Sequence, residues 1–458
     1  MRYISTRGTA RPCSFEEALL SGLASDGGLL EPEIWPSLSA REIDAATPYV
    51  DAAYSILSRF AGEAFSAQDL RADLESAYAA FDGPDIAPLV RIGENRYLLE
   101  LFHGPTLAFK DIAMQVLGRF FERALQRANA RATIVAATSG DTGSAAIAAL
   151  GGLSRIELFV LHPHGRVSEV QRRQMTTAPF GNVHNIAVEG TFDDAQNIVK
   201  ALFADEDFSK RARLAAVNSI NFARIAAQSV YYFTTAAKLS RPATFVVPTG
   251  NFGDVFAGEV AMRMGLAIER LIIATNANDI LCRALASGVY STFSAQPTLS
   301  PSMDIQVASN FERALFEASC RDAAWICSAM EEFGRTKSLA IPEPVLNALR
   351  RRYDARRCDD EQTLATIARV YRETGRLIDP HTAVGVHAAL GLETLSPVVV
   401  LSTAHPAKFP KAVGNATGKV PPLPPRLSDL YEREERVTVL PNDRDQVRAF
   451  IEKRLARA

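Results

Sequence analysis

Thr133-Ile-Val-Ala-Ala-Thr-Ser-Gly-Asp-Thr-Gly-Ser-Ala-Ala-Ile-Ala-Ala-Leu150 is the stretch whose reading decides the fold. Thr133 to Ala137 is short, apolar and β-prone, so it is a strand candidate. A glycine loop follows, and Ser144 to Leu150 reads as a helix. The same succession recurs further on. Ile156 to Leu161 is a second strand candidate. Thr244 to Val247 is a third, again followed by a glycine loop and a helix. Arg270 to Thr275 and Pro397 to Leu401 complete the set. Strands separated by helices imply parallel βαβ units, hence an α/β chain with open, mostly parallel sheets. In such sheets ligands bind at the carboxyl ends of the strands.

Outward from this region the pattern changes. Residues 1–86 read as a mostly helical N-terminal domain. Ser14 precedes a candidate helix through Leu20, with Glu17 placed for a capping box. Asp51 to Phe60 and Ala67 to Tyr78 have helical spacing, and Asp82-Gly-Pro-Asp85 is a break. Residues 87–420 form the α/β region, expected in two lobes, with a helical insertion at about 308–375 that carries no strong strand signal. Arg351-Arg352 and Arg356-Arg357, set among Asp354, Asp359 and Asp360, suggest a solvated helical surface there. Residues 421–458 read as a C-terminal tail, with a proline-rich spacer at Pro421 to Pro425 and a terminal helix from Asp443.

Composition narrows the function. The chain has 458 residues, 47% hydrophobic and 22% charged, with a net charge of -2. No basic field exists to hold nucleic acid. Five scattered cysteines, Cys13, Cys282, Cys320, Cys327 and Cys358, argue against a disulfide framework and fit a reducing cytoplasm. No apolar run approaches the ~18 residues needed to span a bilayer. His162-Pro-His164 has no carboxylate or cysteine partner at ligand spacing, so no metal is expected.

The chemistry is carried by His103-Gly-Pro-Thr106-Leu-Ala-Phe109-Lys110-Asp111. Lys110 heads an apolar helix, in a chain with nine lysines against forty-one arginines. Burial favours the neutral amine, which is a nucleophile and forms a Schiff base with an aldehyde cofactor. The bland alternative is a lysine whose stem packs while its head reaches solvent. Two loops look suited to anions. Ala137 to Ala145 contains Ser139, Gly140, Asp141, Thr142 and Gly143, and Val247 to Val255 contains Gly250, Asn251, Phe252, Gly253 and Asp254. Each joins a strand to a helix, where free N–H groups and the helix dipole favour negative charge. Each alone is equally a plain turn. Neither is a Walker A or G-x-G-x-x-G motif, which disfavours ATP and NAD. A third polar cluster, Ser402 to Phe409, follows the strand candidate that ends at Leu401. Together these suggest one site for a phosphorylated aldehyde and an anionic substrate.

These residues resemble the threonine synthase family, in its bacterial and fungal form. The resemblance rests on Tyr3 to Gly8, Gly22 to Leu29, His103 to Asp111, Thr138 to Gly143, Val217 to Arg224, Gly250 to Asp254, Ser300 to Gln306, Ser309 to Arg313, Asp379 to Thr382 and Thr403 to Phe409. It implies the tryptophan-synthase-β-like fold (fold type II) and pyridoxal 5'-phosphate as cofactor. It implies conversion of O-phospho-L-homoserine and water to L-threonine and phosphate, the last step of threonine biosynthesis, by a carbon–oxygen lyase acting on phosphates. Lys110 would be the catalytic, cofactor-binding lysine. Gly250, Asn251, Phe252, Gly253 and Asp254 would hold the cofactor phosphate, with Asp254 shaping the loop, and Thr403 would face the pyridine nitrogen. Thr106, Ser139, Gly140, Asp141, Thr142, Asn221, Arg224 and Lys408 are the substrate-binding candidates. The expected partner is the small-molecule substrate, with no nucleic acid or membrane, in a monomer or homodimer. Two alternatives stay open. One is a phospho-lyase giving 2-oxobutyrate, and the other is a cofactor-binding protein without turnover.

Overall fold

The apolar run Val398–Ser402 is buried along its whole length, as expected of a strand covered by helices on both faces. In the computed structural model, which describes residues 1–39 and 42–456, it lies inside a six-stranded sheet. The strand order is Tyr353–Arg357, Arg270–Thr275, Thr244–Pro248, Val398–Ser402, Arg96–Glu100 and Leu89–Gly93. All neighbours run parallel except the last pair, whose register shifts between Arg91 and Gly93. A second, five-stranded sheet is parallel throughout, in the order Thr438–Pro441, Val183–Glu189, Ile156–Pro163, Ala132–Ala137 and Leu214–Ala215. The chain is thus α/β, with open, mostly parallel sheets beside a helical N-terminal region.

The deciding stretch behaves as read, with one shift. Ala132–Ala137 is a strand, but the helix after it already begins at Asp141, so Thr142 and Gly143 are helical. Gly140, at φ +137°, makes the turn that a side chain would obstruct, because a Cβ there would lie 2.5 Å from Gln171.

The N-terminal segments are helices Phe15–Ser21, Tyr49–Ala61 and Ala67–Tyr78. Ser14 and Glu17 form the expected capping box. These helices bury Phe15, Phe60, Leu70 and Leu74 against helices Lys110–Arg127 and Phe222–Leu239. The phenol of Tyr3 donates to Phe60 O at 2.9 Å and ties the first strand to the second of these helices.

The segment 308–375 departs from its sequence reading. Helices Phe311–Ala318, Ala323–Thr336, Glu343–Arg352 and Asp360–Thr374 dominate it. Yet Tyr353–Arg357 is a strand of the main sheet, paired with Arg270–Thr275, so Arg356 and Arg357 do not lie on a helix. An edge strand tolerates charges because one side faces water, and those charges hid the strand. The tail is also built in. Thr438–Pro441 extends the smaller sheet, and Val447 and Ile451 of helix Arg444–Leu455 pack on Ile198 and Leu202. Among the described residues no helix is long and apolar enough to cross a membrane.

Candidate active site

Lys110 is placed by a loop that is stitched to the central strand. Phe109 N donates to Thr403 O at 2.9 Å, His405 N donates to Leu107 O at 3.0 Å, and Ala108 bridges Ala404. Lys110 then opens its helix with a side chain 12% exposed. Burial pushes its amine below the ordinary lysine range; Asp141 opposes this, and Lys408 and Arg224 add to it. The loop carries strain at Leu107, whose φ of +63° is unusual for a residue with a side chain. Leu107 is held by burial against Val170, Leu427 and Leu430, so the tail clamps the lysine loop. Arg426 adds ion pairing to Asp82 and hydrogen bonds to the carbonyls of His103 and Gly104.

Asp141 is the hub of the site. Its Oδ1 lies 2.6 Å from Lys408 Nζ and accepts from Gln171 Nε2 at 2.9 Å. Its Oδ2 accepts from Ser302 Oγ at 2.9 Å and lies 3.6 Å from Lys110 Nζ. Burial alone would raise this carboxyl, but Lys408 and Lys110 hold it well below the usual range. Asp141 is thus the counter-ion of both lysines. Lys408 is fully buried and also donates to Thr106 O at 2.9 Å. Thr106 gives its hydroxyl and N–H to Asp111, at 2.6 and 2.7 Å, so it frames the lysine loop.

The second loop forms a cup at the carboxyl end of Thr244–Pro248. Phe252 sits at φ +66° and opens helix Gly253–Arg263, which has no side-chain cap. First-turn N–H groups without a cap are suited to a phosphate. Asn251 O is held by Asn310 N at 3.1 Å and Asn310 Nδ2 at 3.0 Å. Gly250 is pressed against the neighbouring loop, where a Cβ would meet Ser302 O at 2.8 Å. Asp254 turns to the scaffold: Tyr231 and Tyr232 donate their phenols to its carboxyl, which burial pushes up to about 7. An uncapped helix start, a glycine cradle and a buried amine with lowered basicity together fit a phosphorylated aldehyde. Gly250→Ala should therefore weaken cofactor binding about tenfold or more, because backbone must shift to admit the methyl group. Equilibrium titration of the cofactor's absorbance checks this.

The remaining candidates divide. Arg224 is buried; among the described residues its Nε has no partner, and its one hydrogen bond is Nη1 to Val217 O at 3.4 Å. Burial lowers its guanidinium to about 10. A buried cation without a carboxylate partner is suited to an anion. Asn221 is engaged by the scaffold: Oδ1 caps helix Phe222–Leu239 through Ala223 N, and Nδ2 donates to Leu19 O at 2.7 Å. In the first loop, Thr138 Oγ1 takes the N–H groups of Gly140 and Gly143, at 2.9 and 2.8 Å. Ser139 and Thr142 remain partly exposed beside it, and Thr403 is buried at the end of the central strand.

Sequence reasoning missed Gln171, Ser302 and His381 as parts of this site. His381 Nδ1 pairs with Asp379 Oδ1 at 2.9 Å, and its Nε2 accepts from Ser302 N at 3.3 Å, which steadies the loop that presents Ser302 to Asp141. The motifs around Ser300 to Gln306 and Asp379 to Thr382 were the available signal. Gln171, on helix Glu169–Thr176, had none.

Three family models match the chain: Threonine synthase N terminus over residues 2–78, Pyridoxal-phosphate dependent enzyme over 87–344, and Threonine synthase, C-terminal over 382–451. The threonine synthase of Pseudomonas aeruginosa is 50% identical, over 98% of this chain and 98% of that protein. The crystal structure of pyridoxal-phosphate-bound threonine synthase from Brucella melitensis is similar at TM-score 0.97 and 50% identity, covering 99% of both chains. That of threonine synthase from yeast is similar at TM-score 0.94 and 38% identity, covering 100% of this chain and 99% of the other.

Proposed function

The chain belongs to the threonine synthase family, and from that premise we propose how its residues convert O-phospho-L-homoserine and water into L-threonine and phosphate. The cofactor is pyridoxal 5'-phosphate. The observation that carries the reading is the meeting of a largely buried Lys110 of lowered basicity with an uncapped glycine cup and a buried Arg224 that has no carboxylate partner among the described residues.

Gly250 to Asp254 would hold the cofactor phosphate through backbone N–H groups, and Thr403 would face the ring nitrogen as a neutral hydroxyl. When bound, the cofactor supplies an aldehyde for an amine and a ring that takes up the electron pair released at Cα. Lys110 Nζ is the proton carrier. It removes the protons at Cα and then Cβ as phosphate leaves from Cγ, delivers one to Cγ to make the methyl group, takes one from the water that adds at Cβ, and returns one to Cα. Arg224, with Ser139 and Thr142 beside it, takes the substrate's anionic group and the charge that grows on the leaving phosphate. The buried setting strengthens each of these contacts. The free cysteines accord with a reducing cytoplasm as the place of action.

The test is product analysis with O-phospho-L-homoserine. Threonine and phosphate in equal amounts support the reading. Phosphate with 2-oxobutyrate and no threonine overturns it in favour of a phospho-lyase. Arg224→Gln should lower kcat/KM about 10- to 100-fold, the loss of a charged hydrogen bond, while leaving the cofactor's absorbance intact.

A further inference from the structure

Two lysines share one carboxylate in this site, and they do so unequally. Lys408 Nζ is 2.6 Å from Asp141 Oδ1, and its other contact is a carbonyl, Thr106 O, at 2.9 Å. Lys110 Nζ stands back at 3.6 Å from Oδ2 and lies over the Phe109 ring, 4.7 Å from its centre. Asp141 is not free to swing toward Lys110, because Gln171 and Ser302 each donate to one of its oxygens at 2.9 Å. One buried carboxylate compensates one ammonium well and a second poorly.

We propose that Lys408 and Asp141 act as a charge-setting pair for Lys110: Lys408 occupies the carboxylate and so leaves Lys110 as the neutral, reactive amine. Lys408 is then a positioning residue whose cation matters, rather than a ligand of the substrate phosphate. This rests on reading Lys110 as the reacting amine. The charged groups around Lys110 are Asp141 from the first glycine loop, Lys408 from the loop after the central strand, Arg224 from the helix that follows Asn221, and Asp254 from the cup. Two of the four are cations, which disfavour protonation of the Lys110 amine. Burial acts in the same direction.

The arrangement makes opposite predictions for the two partners. Removing the Lys408 cation leaves the Asp141 charge uncompensated where it stands, 3.6 Å from Lys110 Nζ, so Lys110 binds its proton more tightly. Removing the Asp141 charge leaves the cations uncompensated, so Lys110 binds its proton less tightly. A purely structural role would not reverse the sign.

The experiment uses full-length protein resolved from cofactor, with acetic anhydride as a small probe of the free amine. The rate of Lys110 acetylation is followed against pH by peptide mass analysis. In Lys408→Met the midpoint should move up by at least about one pH unit, so that the rate at neutral pH falls about tenfold. Lys408→Arg should restore the wild-type midpoint, and Asp141→Asn should lower it. An unchanged midpoint in Lys408→Met, or an upward move in Asp141→Asn, overturns the proposal. Either variant alone decides it should the other fail to fold. The readout needs no turnover, so it stands apart from the product assay that tests the reaction itself.

Discussion

Lys110→Ala should abolish turnover, with kcat/KM falling about 10⁴-fold or more while the protein stays folded. The size follows from the number of tasks on one atom. General acid–base catalysis by a single group is worth about 10²–10⁴-fold, and Lys110 Nζ is assigned proton transfers at both Cα and Cβ as well as the attachment of the cofactor. No neighbour replaces it. Lys408 is committed to Asp141 and Thr106 O, and Arg224 is too strongly basic, at about 10, to accept a proton at neutral pH. The fold should survive, because the substitution removes a buried amine that burial already disfavours. Phosphate and threonine release measured beside a thermal melt checks both halves. Activity retained above about one part in a hundred would place the proton chemistry elsewhere.

Arg313→Met should cost about 3–5 kcal/mol of stability and loosen the cofactor cup with it. Arg313 is fully buried, and its ion pair is the smaller part of its role. Glu31 lies 3.5 Å away, yet burial pushes the Glu31 carboxyl well up and the Arg313 guanidinium down, so desolvation outweighs their attraction. Its hydrogen bonds matter more. Nη1 donates to Leu30 O at 2.6 Å, Nη2 to Ile220 O at 2.7 Å and Nε to Asn310 Oδ1 at 3.1 Å. Methionine fills similar space but leaves these acceptors buried and unpaired. Asn310 in turn holds Asn251 O in the cup and Ser219 O in the segment before Arg224. One side chain thus joins the N-terminal strand Leu30–Pro32 to the cup and to the segment before Arg224. The expected result is a lower urea midpoint at unchanged slope, with weaker cofactor binding in the variant that remains folded. Unaltered cofactor affinity at reduced stability would cut the link through Asn310.

Much of the fold was legible because its signals are local. Arg270–Thr275 and Val398–Ser402 are unbroken apolar runs, and Ser14 with Glu17 spells a cap within one turn. Tyr353–Arg357 and Arg96–Glu100 escaped because charged residues on edge or near-edge strands mask the pattern. The proline-rich stretch before Arg426 looked like a spacer. In fact Leu423, Leu427 and Leu430 pack with Leu107 under the lysine loop, a contact across more than three hundred residues that no local period records.

The sequence by itself determined the class of the sheets and the family, and it singled out Lys110 and the second glycine loop as candidates, because each is written in neighbouring residues whose spacing sets backbone geometry. The tertiary structure alone decided what the charged side chains do. Asp141, Lys408, Asn221 and Arg224 are all polar residues in similar-looking motifs. Folding pairs Asp141 with Lys408, spends Asn221 on a helix cap, and leaves Arg224 buried with no carboxylate partner among the described residues. A charge takes its role from which groups lie within a few ångströms and from how much water folding removes around it, and neither is a local property of the chain.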